Sequence, residues 1–262
     1  LLFVFSSCAE DMVKPIENDK DAPGTVQDVK TESLPGAVKF TYTLPSDPDL
    51  LYVLAKYTNK TGKVMEFRSS FYTNSVTVEG FGDTDTYKVE LYTVDRSENR
   101  SQPQIVEVAP LTPPILSCYE SLSVVSDFGG MTFEMDNKFK SDLAIYVCTP
   151  DELGDMVLAE TFYSAREEIV YSVRGYDAVP RRFGIFLQDK YGNETDTLFT
   201  ELTPIYEREL DKTKFREMYL QNDSRVDSYD GKMEYVWNGR ISKDGDSGGV
   251  GLHTGTGTKD GP

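Results

Sequence analysis

Two stretches of the chain decide the fold: VDRSENRS at residues 94–101 and QDKYGNET at residues 188–195. Each contains an aspartate, a basic residue, two variable residues, an asparagine, one more residue and a hydroxyl residue. Aspartate and asparagine favour tight turns because their side chains hydrogen-bond to nearby backbone groups. The two stretches start 94 residues apart, which is the length of a small domain and indicates an internal repeat.

Three more pairs of segments keep the same order, with similar spacing between partners. They are 70–72 with 161–163, 78–81 with 173–176, and 111–113 with 202–204. Any one match could arise by chance, but four in register predict two copies of one module. We place the first copy at residues 22–110 and the second at residues 111–206.

Each copy shows the period of β-strands. Apolar residues alternate with polar or small ones, and Gly, Pro, Asn and Asp clusters bound the runs, a pattern typical of half-buried strands. About seven such runs per copy predict two seven-stranded immunoglobulin-like sandwiches. The clearest runs are Val38, Phe40 and Tyr42; Tyr87, Val89 and Leu91; Met131, Phe133 and Met135; Leu143, Ile145 and Val147; and Phe183, Ile185 and Leu187.

Composition excludes several classes of function. The chain has 262 residues, with 27 basic against 44 acidic side chains and a net charge of −17. Such a surface repels phosphate backbones, so we expect no nucleic-acid partner. One histidine and three cysteines leave little material for a zinc site or a histidine-based triad. We therefore expect neither of these two kinds of site.

The first eight residues, LLFVFSSC, form a short apolar run that ends in two serines and a cysteine. This run is too short to span a bilayer. It resembles the lipobox of bacterial lipoproteins, which implies a lipidated Cys8 and attachment to outer-membrane lipid; the alternative is a truncated buried strand. No basic n-region precedes it, so we expect an N-terminally incomplete precursor. Residues 9–21 have a polar composition suited to a flexible tether, and acidic residues behind the cysteine resemble a Bacteroidota surface-export signal.

The first module resembles a fibronectin type III domain. The resemblance rests on Ala-Pro-Gly at 22–24, the strand at 50–57 and the alternating run at 87–95, followed by the turn element. The tryptophan found early in many such domains is absent, and Phe40 or Tyr42 would take its place. The fold class we expect is therefore mainly β, with two tandem fibronectin III-like or immunoglobulin-like sandwiches.

The whole arrangement is similar to Bacteroidota surface lipoproteins encoded beside polysaccharide-utilisation genes. Segments 207–215, 235–239 and 251–254 resemble the start of a discoidin-like (coagulation factor type C) jelly roll, here truncated, which would occupy residues 207–262. The resemblance implies a non-catalytic, outer-membrane lipoprotein facing the cell exterior, which presents a carbohydrate-binding domain for polysaccharide capture. Two alternatives stay open: the spacer part of a glycoside hydrolase, and an adhesin that binds a protein partner.

Three residues near the C-terminus are candidate glycan contacts: Trp237, Asn238 and His253. Trp237 could stack on a sugar ring, but we favour a packing role for it. The resemblance places Asn238 where related domains carry an Asp-Gly loop near calcium, and an asparagine removes one charged ligand. We expect no cofactor, with calcium as the one candidate in this region.

Paired carboxylates and two cysteines complete the candidates. Glycosidases need two carboxyl groups facing each other across a cleft. The pairs Asp47/Asp49, Asp83/Asp85, Glu167/Glu168 and Asp244/Asp246 lie in turn-like segments, where we expect solvated side chains. Cys118 and Cys148 could pair in an oxidising compartment. Because the first copy contains no cysteine, we favour two buried free thiols.

Overall fold

The computed structural model describes residues 20–208, 210–216, 218 and 237. The chain divides into two compact units, residues 1–206 and 207–262, and the first unit contains both predicted sandwiches. No helix among the described residues is long and apolar enough to cross a membrane.

The first sandwich contains seven antiparallel strands in two sheets. Strand β4 joins the sheet of β3, β6 and β7 and does not pair with β5. In constant-type immunoglobulin domains, by contrast, the fourth strand belongs to the sheet of the first, second and fifth strands. The sheet orders are β1-β2-β5 and β4-β3-β6-β7. The strands are β1 (Gln27–Leu34), β2 (Ala37–Thr43), β3 (Leu50–Thr58), β4 (Val64–Ser70), β5 (Ser75–Glu79), β6 (Tyr87–Asp95) and β7 (Gln104–Val108).

The first core lies between these two sheets and follows the alternation in the sequence. Inward-facing residues of β2 and β6 are buried while their neighbours face outward. Phe40 and Tyr42 are both buried in this core, where a tryptophan was missing from the expected pattern. Tyr57 stacks on Phe81 with ring centroids 4.4 Å apart and meets Tyr87 edge-on. Aromatic side chains thus fill the centre of the module.

The second sandwich repeats the arrangement, with sheet orders β8-β9-β12 and β11-β10-β13-β14. Its core is built from the predicted alternating runs on β9, β10 and β13. The prediction of two tandem seven-stranded sandwiches is confirmed. The strands are β8 (Ser123–Asp127), β9 (Gly130–Asp136), β10 (Leu143–Pro150), β11 (Met156–Ser164), β12 (Glu168–Arg174), β13 (Arg181–Asp189) and β14 (Leu198–Leu202).

A short helix, α1 (Pro114–Glu120), precedes the second sandwich and has no counterpart in the first. Proline in its first turn suits a helix start, because the missing N–H would have no partner within the helix there. Ile115 and Cys118 turn inward and are buried in the second core. The sequence pattern did not predict this helix, which spans only about two turns.

The repeat extends to backbone hydrogen bonds outside the strands. Leu111 N donates to Leu34 O, and Ile205 N donates to Asp127 O at the matching place in the second sandwich. Leu111 therefore corresponds in space to Ile205, three residues beyond the Leu202 that the sequence alignment matched to it. Corresponding strands start 92 to 96 residues apart, as for β2 at Ala37 and β9 at Gly130, which are 93 apart.

Beyond Tyr206, the described residues include one 3₁₀ turn, Lys212–Lys214, whose N-terminus is capped by the Asp211 side chain accepting from Thr213 N. Two of the three segments that predicted the discoidin-like domain, 235–239 and 251–254, lie outside the described residues except for Trp237. The discoidin-like domain stays a prediction.

Candidate functional site

The site residues predicted from sequence fall mostly beyond the part of the chain that the structure describes. Cys8, Asn238 and His253 all lie outside the described residues. Trp237 is half-buried, and its ring meets that of Phe215 edge-on at 5.6 Å between centroids. A half-buried indole can pack on one side and still offer surface to a ligand on the other.

Among the predicted carboxylate pairs, Asp83 and Asp85 share one cation. Asp83 and Asp85 both form ion pairs with Lys60, and Asp83 also accepts a hydrogen bond from Tyr87 Oη at 2.9 Å. Burial alone would raise the pKa of Asp83, but hydrogen bonds from Lys60, Asp85 N and Tyr87 outweigh it and lower the pKa. Asp83 thus holds a turn together and is less solvated than the sequence predicted. Asp244 and Asp246 lie outside the described residues.

Both cysteines in the second sandwich are free thiols, as favoured from the sequence. Cys118 is buried, and this burial raises its pKa to about 11. Cys148 is only half-buried, contrary to the prediction that both are buried. It faces outward on β10, where inward and outward positions alternate.

The predicted turn elements are built alike in the two sandwiches. Asp189 Oδ1 accepts from Tyr191 N and from Asn193 N, both at 2.9 Å, and Oδ2 accepts from Asn193 Nδ2 at 2.8 Å. Asp95 and Asn99 make the same bonds in the first sandwich. The hydroxyl residue ends the element, since Thr195 Oγ1 accepts from Leu187 N. The sequence pattern therefore encodes one turn, made twice.

The second turn also joins the two sandwiches. Asn193 Nδ2 donates to Gly80 O of the first sandwich at 3.1 Å, and Tyr191 Oη donates to the Glu79 carboxylate. Burial and the neighbouring Glu79 raise the pKa of Tyr191 above its usual range. Side chains from the second module are thus anchored in the first by one buried neutral hydrogen bond and one half-buried, charge-assisted hydrogen bond.

Two glycines make this close approach possible. A Cβ on Gly80, whose φ is +84°, would lie 2.8 Å from Tyr191 Cγ, and one on Gly82 would lie 2.6 Å from Asn193 Oδ1. At the matching position of the second sandwich, Gly175 has φ +101° and no described atom within 4 Å of a Cβ. Glycine thus allows a positive φ in both copies, and in the first copy it also makes room for the Tyr191 ring.

An open groove of about 800 Å³ lies at this joint. The turn after β3 borders it on the side of the first sandwich with Thr61 and Lys63, and the second sandwich supplies the remaining residues. Asn59 positions the turn, because its Oδ1 accepts from Thr61 N, Thr61 Oγ1 and Lys63 N. The volume is in the range of small-molecule sites.

The floor of the groove is the outer face of β10, β11 and β13. Ala144 is paired with Tyr163 on one side and with Gln188 on the other. Paired residues in an antiparallel sheet share a face, so the small Ala144 leaves a hollow between two longer side chains. Tyr146 lies two residues further along the same face and stacks on Phe186 at 4.7 Å.

Aromatic and polar groups alternate around this hollow. Tyr163 is 75% exposed. Tyr146 Oη donates to Gln188 Oε1, and Gln188 Nε2 donates to Glu194 Oε1 at 2.7 Å, which fixes the amide in place. Lys190 lies over the Tyr191 ring, and Asp142 supplies a carboxylate. Sequence reasoning missed this groove, although its repeat alignment had marked Tyr163 as the counterpart of Tyr72.

No metal-binding cluster of three or more His, Cys, Asp or Glu side chains occurs within the residues that the structure describes. The calcium region predicted around Asn238 is not among them. The groove at the joint combines aromatic and polar groups that a ligand could contact.

Comparisons with known families divide the chain at the junction of its two sandwiches. Residues 23–110 match the model described as domain of unknown function DUF4959, and residues 111–213 match that of domain of unknown function DUF5126. No curated protein matches the chain.

Solved structures with similar folds include a SusE-like protein, which is 32% identical over 48% of this chain, with a TM-score of 0.33. The chain spans 45% of the length of that protein. A two-domain fibronectin type III segment of chicken tenascin is 12% identical and matches 68% of this chain and 99% of its own length, with a TM-score of 0.32. The FN5 domain of Drosophila Lar is 20% identical and matches 34% of this chain and 98% of its own length, with a TM-score of 0.26.

Proposed function

We propose that this chain is a non-catalytic cell-surface lipoprotein that captures polysaccharide, with its two sandwiches acting as a rigid spacer. Cys8 would carry the lipid that attaches the chain to the outer membrane. The segment from residue 207 onward, which includes Trp237, Asn238 and His253, would bind the glycan. In this arrangement the sandwiches hold the binding segment away from the membrane.

The observation that carries this proposal is the joint between the sandwiches. Linked domains move relative to each other by default, so a rigid spacer needs contacts that hold its domains together. Here Tyr191 and Asn193 bond to Glu79 and Gly80, and a glycine at position 80 lets the side chains approach. A spacer needs this stiffness, because a hinged one would not keep a bound polymer at a fixed distance.

The charge of the chain supports the same role. A net charge of −17 keeps the protein soluble and disfavours acidic polymers. Neutral polysaccharides carry no charge to be repelled, and they bind through stacking and hydrogen bonds. We therefore propose a neutral polysaccharide as the partner.

Electrophoresis through gels that contain a polysaccharide tests this division of labour. We compare the full chain with a chain that ends at Tyr206, the boundary of the first compact unit. The full chain should be retarded by at least one neutral polysaccharide, and the shorter chain should lose most of that retardation. Equal retardation of both chains would contradict the proposed role of the C-terminal segment.

A protein-binding adhesin is the second candidate, and one observation favours it. Strand β11 lies at the edge of its sheet and exposes Val157 and Leu158, with Leu153 88% exposed in the adjoining turn. Exposed apolar edge strands are templates for pairing with another chain. Charged substitutions V157K and L158E that abolish capture of a protein partner, with glycan binding intact, would favour the adhesin.

A further inference from the structure

We propose that the groove at the joint is a second carbohydrate site, which binds a short stretch of neutral oligosaccharide on the spacer itself. This inference rests on the proposed function for the class of ligand, and it goes beyond that proposal in placing a contact outside the C-terminal segment. The structural basis is the juxtaposition of Tyr163, Ala144 and Gln188 on one face of the second sandwich.

The ring of Tyr163 is exposed at the border of the groove. A tyrosine that is 75% exposed at the border of a groove gains nothing from core packing. Tyr163 pairs with the small Ala144 and both residues line the groove, so we place one side of the ring towards the hollow. An apolar ring face with a polar rim suits the C–H face of a pyranose, because such amphipathic rings serve both kinds of contact.

Hydrogen-bonding side chains also line the groove. A sugar hydroxyl both donates and accepts, so a site for sugars needs donors and acceptors side by side. Gln188 is held by Tyr146 and Glu194, and its amide nitrogen carries a second N–H. Lys63 and Lys190 add donors and Asp142 adds an acceptor at the border of the groove.

The charged side chains in the lining also bear on the kind of ligand. Lys63 and Lys190 line the groove together with Asp142 and Asp189, so the groove does not present a single sign. A strongly charged ligand would meet repulsion from one group or the other. A neutral polyhydroxyl chain can use both, since its hydroxyls donate to carboxylates and accept from ammonium groups.

The shape of the groove depends on how firmly the two sandwiches are joined. The walls come from two sandwiches, and a site between domains is preformed only if the domains are fixed. Asn193 and Tyr191 fix them next to the groove, and Asn59 fixes the turn that carries Thr61 and Lys63. A preformed site loses less affinity to ordering on binding.

The test is calorimetric titration of the full chain with neutral gluco-, xylo-, manno- and galacto-configured hexasaccharides and with an acidic oligogalacturonide. Two variants address the groove: Y163A removes the ring, and A144F fills the hollow. The matched control is Y72A, because the sequence repeat aligns Tyr72 with Tyr163, and Tyr72 is 83% exposed and does not border the groove. Thermal unfolding checks that each variant is folded.

We expect Y163A and A144F each to weaken the binding of a neutral hexasaccharide by about tenfold, the cost of losing one good aromatic contact, with Y72A within about twofold of the parent chain. Fluorescence of the single Trp237 reports the C-terminal segment separately, and its response to polysaccharide should not change. Parent-like affinity of Y163A and A144F overturns the proposal, as does binding of the acidic oligomer alone.

The same experiment separates the two proposals. If Trp237→Ala abolishes all glycan binding and the groove variants change none, the groove proposal fails and the proposed function stands. If Trp237→Ala has no effect and Y163A abolishes binding, the groove is the glycan site and the C-terminal assignment fails. If no neutral glycan binds the folded parent chain, both fail.

Discussion

The side-chain amide of Asn193 in the second sandwich donates to the backbone carbonyl of Gly80 in the first, in a buried hydrogen bond of 3.1 Å. The same amide also donates to Asp189 within its own turn. One side chain therefore closes a turn and fixes the neighbouring domain. The turn motif that each sandwich needs for itself has been used a second time as a joint.

Replacing Asn193 with alanine should loosen the joint. N193A leaves Gly80 O without this partner, and a lost buried hydrogen bond costs about 1–3 kcal/mol. The control is N99A, which removes the matching bond to Asp95 in the turn of the first sandwich. The amide of Asn99 also reaches Asp21 O at 3.5 Å, so both substitutions remove a second contact of the amide as well. Small-angle scattering should show a wider range of domain orientations for N193A than for N99A. Identical scattering would show that the bond does not hold the domains.

Alanine at Gly80 should separate the domains more strongly. A residue other than glycine at positive φ costs about 1–2 kcal/mol, and the new Cβ would also contact the Tyr191 ring. G175A at the repeat-equivalent position carries the backbone cost alone, because space around Gly175 is open among the described residues. Urea unfolding should therefore show G80A to be less stable than G175A by about 1–3 kcal/mol, the usual cost of overpacking. Equal losses would contradict the close packing at Gly80.

The two thiols should differ in reactivity. Burial raises the pKa of Cys118 to about 11, so only about one molecule in a thousand carries the reactive thiolate at pH 8. Cys148 is half-buried and faces outward. In a chain with C8S, an aromatic disulfide reagent should label Cys148 first, and Cys118 only on unfolding. Peptide mass mapping identifies each product, and fast labelling of Cys118 in the native chain would be the contrary result.

The ion pairs of Asp83 should make stability depend on acid. The pKa of Asp83 is lowered in the folded chain, so its contribution is present above the unfolded value of about 3.9 and is lost as pH falls through the folded value. The free energy of unfolding of the parent chain should therefore exceed that of D83N at pH 6. The difference should shrink below about pH 4. A difference that stays constant from pH 6 to pH 2 would contradict this account.

Much of the fold could be predicted because burial follows period two. On β9, Met131, Phe133 and Met135 face the core, and Thr132 and Glu134 between them face outward. The alternation of apolar and polar residues in the sequence therefore predicts the strand. The turn could be predicted for a similar reason, since Asp189 and Asn193 bond within five consecutive residues. Helix α1 escaped notice because seven residues are too few to show a helical period.

The joint and the groove could not be predicted in the same way. Asn193 and Gly80 are 113 residues apart, and no local pattern links them. The hollow depends on Ala144, an ordinary residue for a strand, having Tyr163 and Gln188 as cross-strand neighbours. Only the register between strands brings these three together. The repeat alignment included Tyr163, but it did not predict that this side chain is exposed.

Binding of a broad polysaccharide panel to the chain that starts after Cys8, with and without calcium, tests the central claim most directly. We predict specific retention of at least one neutral polysaccharide, with the polymer length unchanged after prolonged incubation, as the proposed non-catalytic role requires. A shortened polymer, or a folded chain that is retained by none of the polysaccharides in either condition, would contradict it.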